Sequence, residues 1–363
     1  MRGLWFLLLA GLCVVLAELI SRRIFRKASL KSNLHRGVAA TLRLMQDGIW
    51  EKKAQFVNNP YGLYWNKPNS WIEANRMTCS RGYRWQGREI DPVKSGFRIL
   101  VLGGSTTFSN HCFLDYKDTW CFKLEKILQE KFPDKHVEVI NAGLNYGMTT
   151  ELLSHYIFRG QYLNPDVVIL HGPGNDVLPA AIGDVTNDYS STRDYIYHSR
   201  RPYENTLLKK FGLLRCFYSF WLNTNNYANL EPEFFPSNAI QKKNISQNTG
   251  GAFLNNVRTL MNLCKSKGIR FVYVPFIYAP KSQVRKFHGE LSEVIQEFED
   301  KLSHLVDKEI AKTDLSSFKF LEIDAQKFVA EDFYDSCHLL PSGELKKAIE
   351  VSTPVTELIK TDL

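Results

Sequence analysis

Residues 97–107 read FRILVLGGSTT. A short continuous apolar run ended by glycine predicts a strand buried on both faces. Gly103 and Gly104 then admit two readings. They form an ordinary tight turn, or they let the backbone come close to a substrate, with Ser105 as the reacting group. A serine in this place is also a plain helix cap. The rest of the chain has to decide.

The same alternation continues downstream. DTWCFKLEKILQEKF at 118–132 spaces its apolar residues for a helix, with Asp118 as N-cap. VEVINAG at 137–143 reads as a second strand, TTELLSHYIFRGQYL at 149–163 as a helix, and DVVILHG at 166–172 as a third strand. Residues 177–249 break the pattern. They are rich in Asn, Ser and aromatic residues and read as an inserted cap, with a short helix around 204–221. Alternation resumes with a helix over 251–267, the strand RFVYVPFI at 270–277, a long helix over 282–312, the strand FKFLEID at 318–324, and a helix over 342–359. Strands separated by helices imply a parallel sheet covered on both faces. The expected fold class is therefore α/β, a three-layer α/β/α arrangement around a five-stranded parallel sheet. In such a sheet ligands sit beyond the carboxyl ends of the strands.

Composition sets the outer bounds. The chain has 363 residues, 44% of them hydrophobic, enough for one large domain with an inserted cap. The formal net charge is +8. Part of it is local: Arg22, Arg23, Arg26, Lys27 and Lys31 follow the apolar segment GLWFLLLAGLCVVLAELI at 3–20. That pattern flanks a membrane and does not describe a nucleic-acid surface. A weaker cluster of Arg200, Arg201, Lys209 and Lys210 reads as a solvated face, so no nucleic-acid partner is expected. As a helix, residues 3–20 would extend roughly 27 Å, close to the ~30 Å hydrocarbon core. The expectation is a transmembrane signal anchor, with a cleaved signal peptide as its competitor. The expected domains are 1–27 as this segment, 28–96 as a membrane-proximal helix (33–56) with an extended lead-in, and 97–363 as the main domain with a cap at 177–249. None of the seven cysteines forms a CxxC pair, so neither a zinc knuckle nor a thioredoxin-type motif is supported. Cys112 and Cys121 are near enough in sequence to pair in an oxidising compartment. No GxGxxG or Walker motif follows the first strand, so no nucleotide cofactor is expected.

The strand ends hold the residues that matter. After the first strand stands Ser105. After the second comes NAGLNYGMT at 141–149, after the third GPGND at 172–176, and after the fifth DSCH at 335–338. Each loop alone could be a turn, since Gly, Asn and Asp are turn formers. Together, at one edge of one sheet, they supply what acyl transfer by serine requires: nucleophile, base, a group orienting the base, and donors for an oxyanion. Ser105 is the candidate nucleophile and His338 the base. Asp335, three residues earlier, can reach the imidazole Nδ1. The donors are the backbone N–H groups of Ser105 and Gly147 and the side-chain amide of Asn175. Of the nine histidines, His111 and His171 lie nearer to Ser105 in sequence, but neither follows a carboxylate by three. His171 is read as structural, Asp176 as a cap on the segment after Asn175, and Cys337 as a spectator.

These four blocks, in this order, resemble the SGNH (GDSL-like) hydrolase superfamily, and the likeness spans about 97–350. The first block is Gly103-Gly104-Ser105, with Gly104 where an acidic residue is usual. The second falls on Gly147, the third on Gly172 to Asp176, and the last on Asp335 and His338, followed by LLPSG at 339–343. SRGYRWQGREIDPVKSGFRIL at 80–100 looks like the lead-in of membrane-associated bacterial members. The resemblance implies a flavodoxin-like sheet and metal-free hydrolysis of an acyl ester, in a lipid or an O-acylated glycan, through an acyl-enzyme. It also implies a catalytic domain outside the cytoplasm, whereas the charge following 3–20 favours a cytoplasmic one. The same residues would serve an O-acyltransferase acting on an envelope glycan. A silent membrane-tethered scaffold is the reading from another class. The GxSxG elbow of the other serine esterase fold is not met, because Thr107 stands at its second glycine.

Overall fold

The computed structural model describes residues 2–29, 56–59, 62, 64–72, 74–109, 115–172, 174–183, 189–190, 210–224, 236–313 and 316–360. The helix expected over 33–56 falls outside them up to residue 55, and so does Cys112. The chain divides into two units. One is Met1–Val57 with His198–Pro236, the other Asn58–Tyr197 with Ser237–Leu363. The helices used below are α1 (Arg2–Ser29), α2 (Ser105–Phe108), α3 (Trp120–Lys131), α4 (Thr149–Phe158), α5 (Val177–Ile182), α6 (Gly212–Thr224), α7 (Asn238–Gln247), α8 (Gly251–Ser266), α9 (Lys281–His288), α10 (Ser292–Ala311) and α11 (Pro341–Lys360).

At the centre of the larger unit is a five-stranded sheet of β1 (Phe97–Gly103), β2 (Val137–Gly143), β3 (Val167–His171), β4 (Arg270–Val274) and β5 (Phe318–Phe320). The order is β2-β1-β3-β4-β5, and every pairing is parallel. This is the expected doubly wound sheet. The strands are apolar on both faces because helices cover both, and β1 and β2 are buried at every position. Ile99, Val101, Val139, Ile169 and Val272 share one face with Trp120, Leu124 and Leu128 of α3 and Val351, Val355 and Leu358 of α11. Burying one such aliphatic side chain contributes about 1.5–3 kcal/mol. Leu100 and Leu102 alternate to the other face, where α4 and α8 pack together.

A charge does lie inside β1. Arg98 is 1% exposed, and it is tolerated because each of its three side-chain nitrogens has a hydrogen-bond partner. Its Nε donates to Glu138 Oε2 at 2.6 Å and its Nη1 to the Leu163 carbonyl at 2.8 Å. This pair sits at the amino end of the strand, away from Ser105.

Several boundaries differ from expectation for local reasons. β4 stops at Val274 because Pro275 has no N–H for the ladder. The N-cap of α3 is Thr119, whose hydroxyl accepts from Phe122 N, and Asp118 instead ends a preceding 3₁₀ turn. The long helix expected over 282–312 is two, α9 and α10, parted at Gly289 with φ +55°. Within the stretch read as a cap, the described residues form α5, α6 and α7. α5 and α7 belong to the larger unit and pack on each other.

In the smaller unit α1 packs against α6. Glu18 of α1 accepts from Gly212 N at 2.6 Å and Leu213 N at 2.9 Å, so its carboxylate caps the start of α6. Arg22 closes the group on Glu18 and on the Lys210 carbonyl. Leu9, Val14, Leu19 and Ile24 on α1 and Phe217 and Phe220 on α6 are exposed. Among the described residues no helix is long and apolar enough to cross a membrane.

Candidate active site

The sheet order 2-1-3-4-5 puts its topological switch point at β1 and β3, the place where such sheets bind ligands beyond their carboxyl ends. Ser105 follows β1 and Asn175 follows β3. The two glycines are there for close approach. A Cβ on Gly103 would stand 2.1 Å from Thr107 Oγ1, and one on Gly104 would stand 3.1 Å from Asn175 Nδ2. Gly104 adopts φ −82°, an ordinary value, so backbone strain is not what selects it.

His338 arrives from the far end of the chain, just before α11. Its Nε2 lies 2.9 Å from Ser105 Oγ, and its Nδ1 lies 2.7 Å from Asp335 Oδ2. Local chain geometry sets the second contact. Asp335 Oδ1 accepts from Cys337 N at 2.9 Å and from His338 N at 2.8 Å, an Asx turn that folds the imidazole back over the carboxylate. Gln283 of α9 donates to the Asp335 carbonyl at 3.0 Å, and His288 meets Ser336 Oγ at 2.9 Å. Burial opposes the charge on Asp335. The hydrogen bond and charge of His338, with the two N–H donors, prevail and hold the carboxyl well below the usual carboxylate range. An ionised carboxylate only accepts, so His338 carries its proton on Nδ1. Its Nε2 lone pair then faces the Ser105 hydroxyl.

The donor side is built from the turn at Ser105 and two loops, those carrying Gly147 and Asn175. The N–H of Ser105 opens α2, where first-turn N–H groups have no intrahelical partner. Asn175 Nδ2 donates to the Gly147 carbonyl at 3.2 Å. The Gly147 N–H donates to the Leu144 carbonyl at 2.8 Å, in a turn closed by Tyr146 at φ +60°. Asp176 ties the two loops together. It makes no side-chain cap on its own segment. Instead it accepts from Thr149 Oγ1 at 2.5 Å and Thr149 N at 3.1 Å, at the start of α4. Burial pushes its carboxyl up to about 7, against the pull of the Thr149 bonds.

Sequence reasoning missed the anchor beneath the serine turn. His171, read as structural, ends β3 with Nδ1 2.7 Å from Thr107 Oγ1 and Nε2 2.8 Å from Lys347 Nζ. Lys347 also lies over the Trp120 ring, 4.6 Å from its centroid. Glu344 holds Trp120 N, and it holds Ser109 Oγ at 3.1 Å where α2 ends in a left-handed residue, φ +56°. Burial pushes Glu344 up to about 7 and Lys347 down to about 8. A signal was present. Residues 344, 347, 348, 351, 355 and 358 form one helical stripe, and two of them are charged.

Solved structures of other proteins match this chain over most of its length. They include a lipolytic protein of the G-D-S-L family from Desulfitobacterium hafniense, at 14% identity over 71% of this chain and 98% of that one, TM-score 0.38. An acetylxylan esterase from Geobacillus stearothermophilus is 13% identical over 74% and 96%, TM-score 0.42. A GDSL-like lipase from Bacteroides thetaiotaomicron is 11% identical over 73% and 89%, TM-score 0.38. No family model matches the chain. No curated protein matches it in sequence.

Proposed function

We propose that this chain is a serine ester hydrolase of the SGNH type. The observation that carries the proposal is the continuous contact from Ser105 Oγ through the His338 ring to Asp335, at 2.9 and 2.7 Å. Ser105 Oγ attacks the ester carbonyl carbon as its proton passes to His338 Nε2. Asp335 stabilises the resulting imidazolium without taking a proton. The carbonyl oxygen gains the negative charge and meets the N–H of Ser105 and the amide of Asn175. Gly147 N–H joins them on turning away from Leu144. Collapse expels the alcohol, protonated by His338, and leaves an acyl-enzyme. Water deprotonated by the same imidazole then releases the acid.

The substrate class we assign is an acyl ester of a lipid or an O-acylated glycan. Attachment of the smaller unit to a membrane would bring the enzyme to such substrates. Apolar exposure along both α1 and α6, beside Arg22 and Arg23, supports that attachment.

The test uses the full chain in detergent with p-nitrophenyl acetate, butyrate and octanoate, and a fluorophosphonate to trap the nucleophile. Turnover of at least one ester and a covalent adduct on the peptide holding Ser105 are expected. Absence of both would end the proposal. Asn175→Ala should lower kcat by about 10²–10³-fold with KM little changed, the cost of one oxyanion donor. A change confined to KM would remove Asn175 from that role.

A further inference from the structure

Cys337 stands between the two residues that orient the reaction, and no step above uses it. Its Sγ is 3.7 Å from His338 Nδ1. Asp335 Oδ2 lies 2.7 Å from the same nitrogen, and the three side chains place their ligand atoms within 4.8 Å of one another. Zinc binds thiolate at about 2.3 Å and imidazole at about 2.0–2.1 Å, so a tetrahedral S···N edge is about 3.6 Å. The Cys337–His338 separation is already that edge. The carboxylate pivots by less than about 1 Å to open its own N···O edge to the ~3.4 Å that tetrahedral bonds imply. The site is reachable: His338 and Asp335 side chains are 14% and 23% exposed, and Cys337 is half-buried.

We propose that Asp335, Cys337 and His338 form an inhibitory site for a borderline-soft divalent cation such as zinc or cadmium. Three protein ligands leave the fourth position to water. The metal takes the Nδ1 lone pair, so the imidazole proton moves to Nε2 and points at Ser105. In that tautomer His338 cannot accept the serine proton. Cys337 loses its thiol proton to solvent and Asp335 stays ionised, so one proton is released per metal bound. Binding therefore tightens as pH rises. Magnesium and calcium prefer oxygen ligands, and this set offers only one carboxylate, so neither should inhibit.

The inhibition rests on the ester-hydrolase reading, whereas metal binding does not, and the experiment separates them. Titrate the full chain with cadmium and follow the thiolate-to-metal charge-transfer band in the ultraviolet. In parallel, measure p-nitrophenyl acetate turnover with zinc, then with a chelator added. The expected result is a one-to-one band absent from Cys337→Ala, and reversible inhibition that magnesium does not reproduce. Cys337→Ala should keep its basal activity and need about 10–100-fold more zinc for half-inhibition, at least the loss typical of a supporting residue. A band that persists in Cys337→Ala, or equal zinc sensitivity of both proteins, overturns the site. No band in a fully active wild type also overturns it, and leaves the hydrolase reading intact. A band in a protein that hydrolyses no ester keeps the metal site and removes that reading.

Discussion

Ser105→Ala should lower kcat for p-nitrophenyl esters by about 10⁶-fold, the loss seen when a serine of a cooperating triad is removed. The size follows from the geometry. In the proposed mechanism Oγ is the atom that bonds to the acyl carbon, and its 2.9 Å contact with His338 Nε2 has no substitute within the turn. Without it, His338 and Asp335 have nothing to activate but water. The oxyanion donors and substrate binding remain, and they sustain roughly 10³–10⁴-fold over the uncatalysed rate. Folding is a weak confounder. The side chain is only partly buried, and the structural weight of the turn rests on Gly103, Thr107 and His171. The thermal midpoint should therefore stay within a few degrees of wild type, and the fluorophosphonate adduct should vanish. If Ser105→Ala turns esters over as fast as wild type, the nucleophile is another group.

What the sequence makes legible and what it hides divide along a physical line. Continuous apolar runs identify strands buried on both faces, and glycine or proline marks where they stop. Ser105 and Asn175 were legible because each follows such a stop, and Asp335 and His338 because the carboxylate precedes the imidazole by three residues. The order of the strands was not legible, because alternation along the chain is the same whichever neighbours pair. The order decides that β1 and β3 are adjacent, and hence that the loops carrying Ser105 and Asn175 are neighbours. The partner of Asp176 was equally hidden. An Asn-Asp pair after a strand predicts a local cap, whereas Asp176 reaches Thr149, 27 residues earlier in the chain. Local propensity says nothing of a bond across that distance.

Glu344 and Lys347 mark a different limit. Charged residues on a helix are read as solvated unless their register with the apolar stripe is counted. Once counted, both fall on the face of α11 that covers the sheet, where burying a charge is costly without partners. The partners prove to be His171, Trp120 and Ser109, all at or beneath the serine turn. One buried polar group therefore braces the turn from below, while Asp176 joins the two loops that flank the oxyanion position. The turn at Ser105 is held from two sides by buried side chains.

Asp335→Asn should lower kcat/KM by about 10⁴-fold, although the amide has nearly the shape of the carboxylate. The Asx turn dictates this outcome. Asp335 Oδ1 accepts from both Cys337 N and His338 N, so in the variant the amide oxygen must take that position to keep both bonds. The amide nitrogen is then forced into the place of Oδ2, 2.7 Å from His338 Nδ1. An NH₂ group there donates, so Nδ1 must accept and the ring proton moves to Nε2, facing Ser105. The base is locked in the tautomer that cannot take the serine proton. Flipping the amide would restore the tautomer only by setting an NH₂ against two backbone N–H donors. Asp335→Ala removes the carboxylate without imposing the wrong tautomer, so the near-isosteric variant should be no more active than the truncation. Rates for both, measured beside their thermal midpoints, check this. An asparagine variant within tenfold of wild type would show that the carboxylate charge and its acceptor role are not what orient His338.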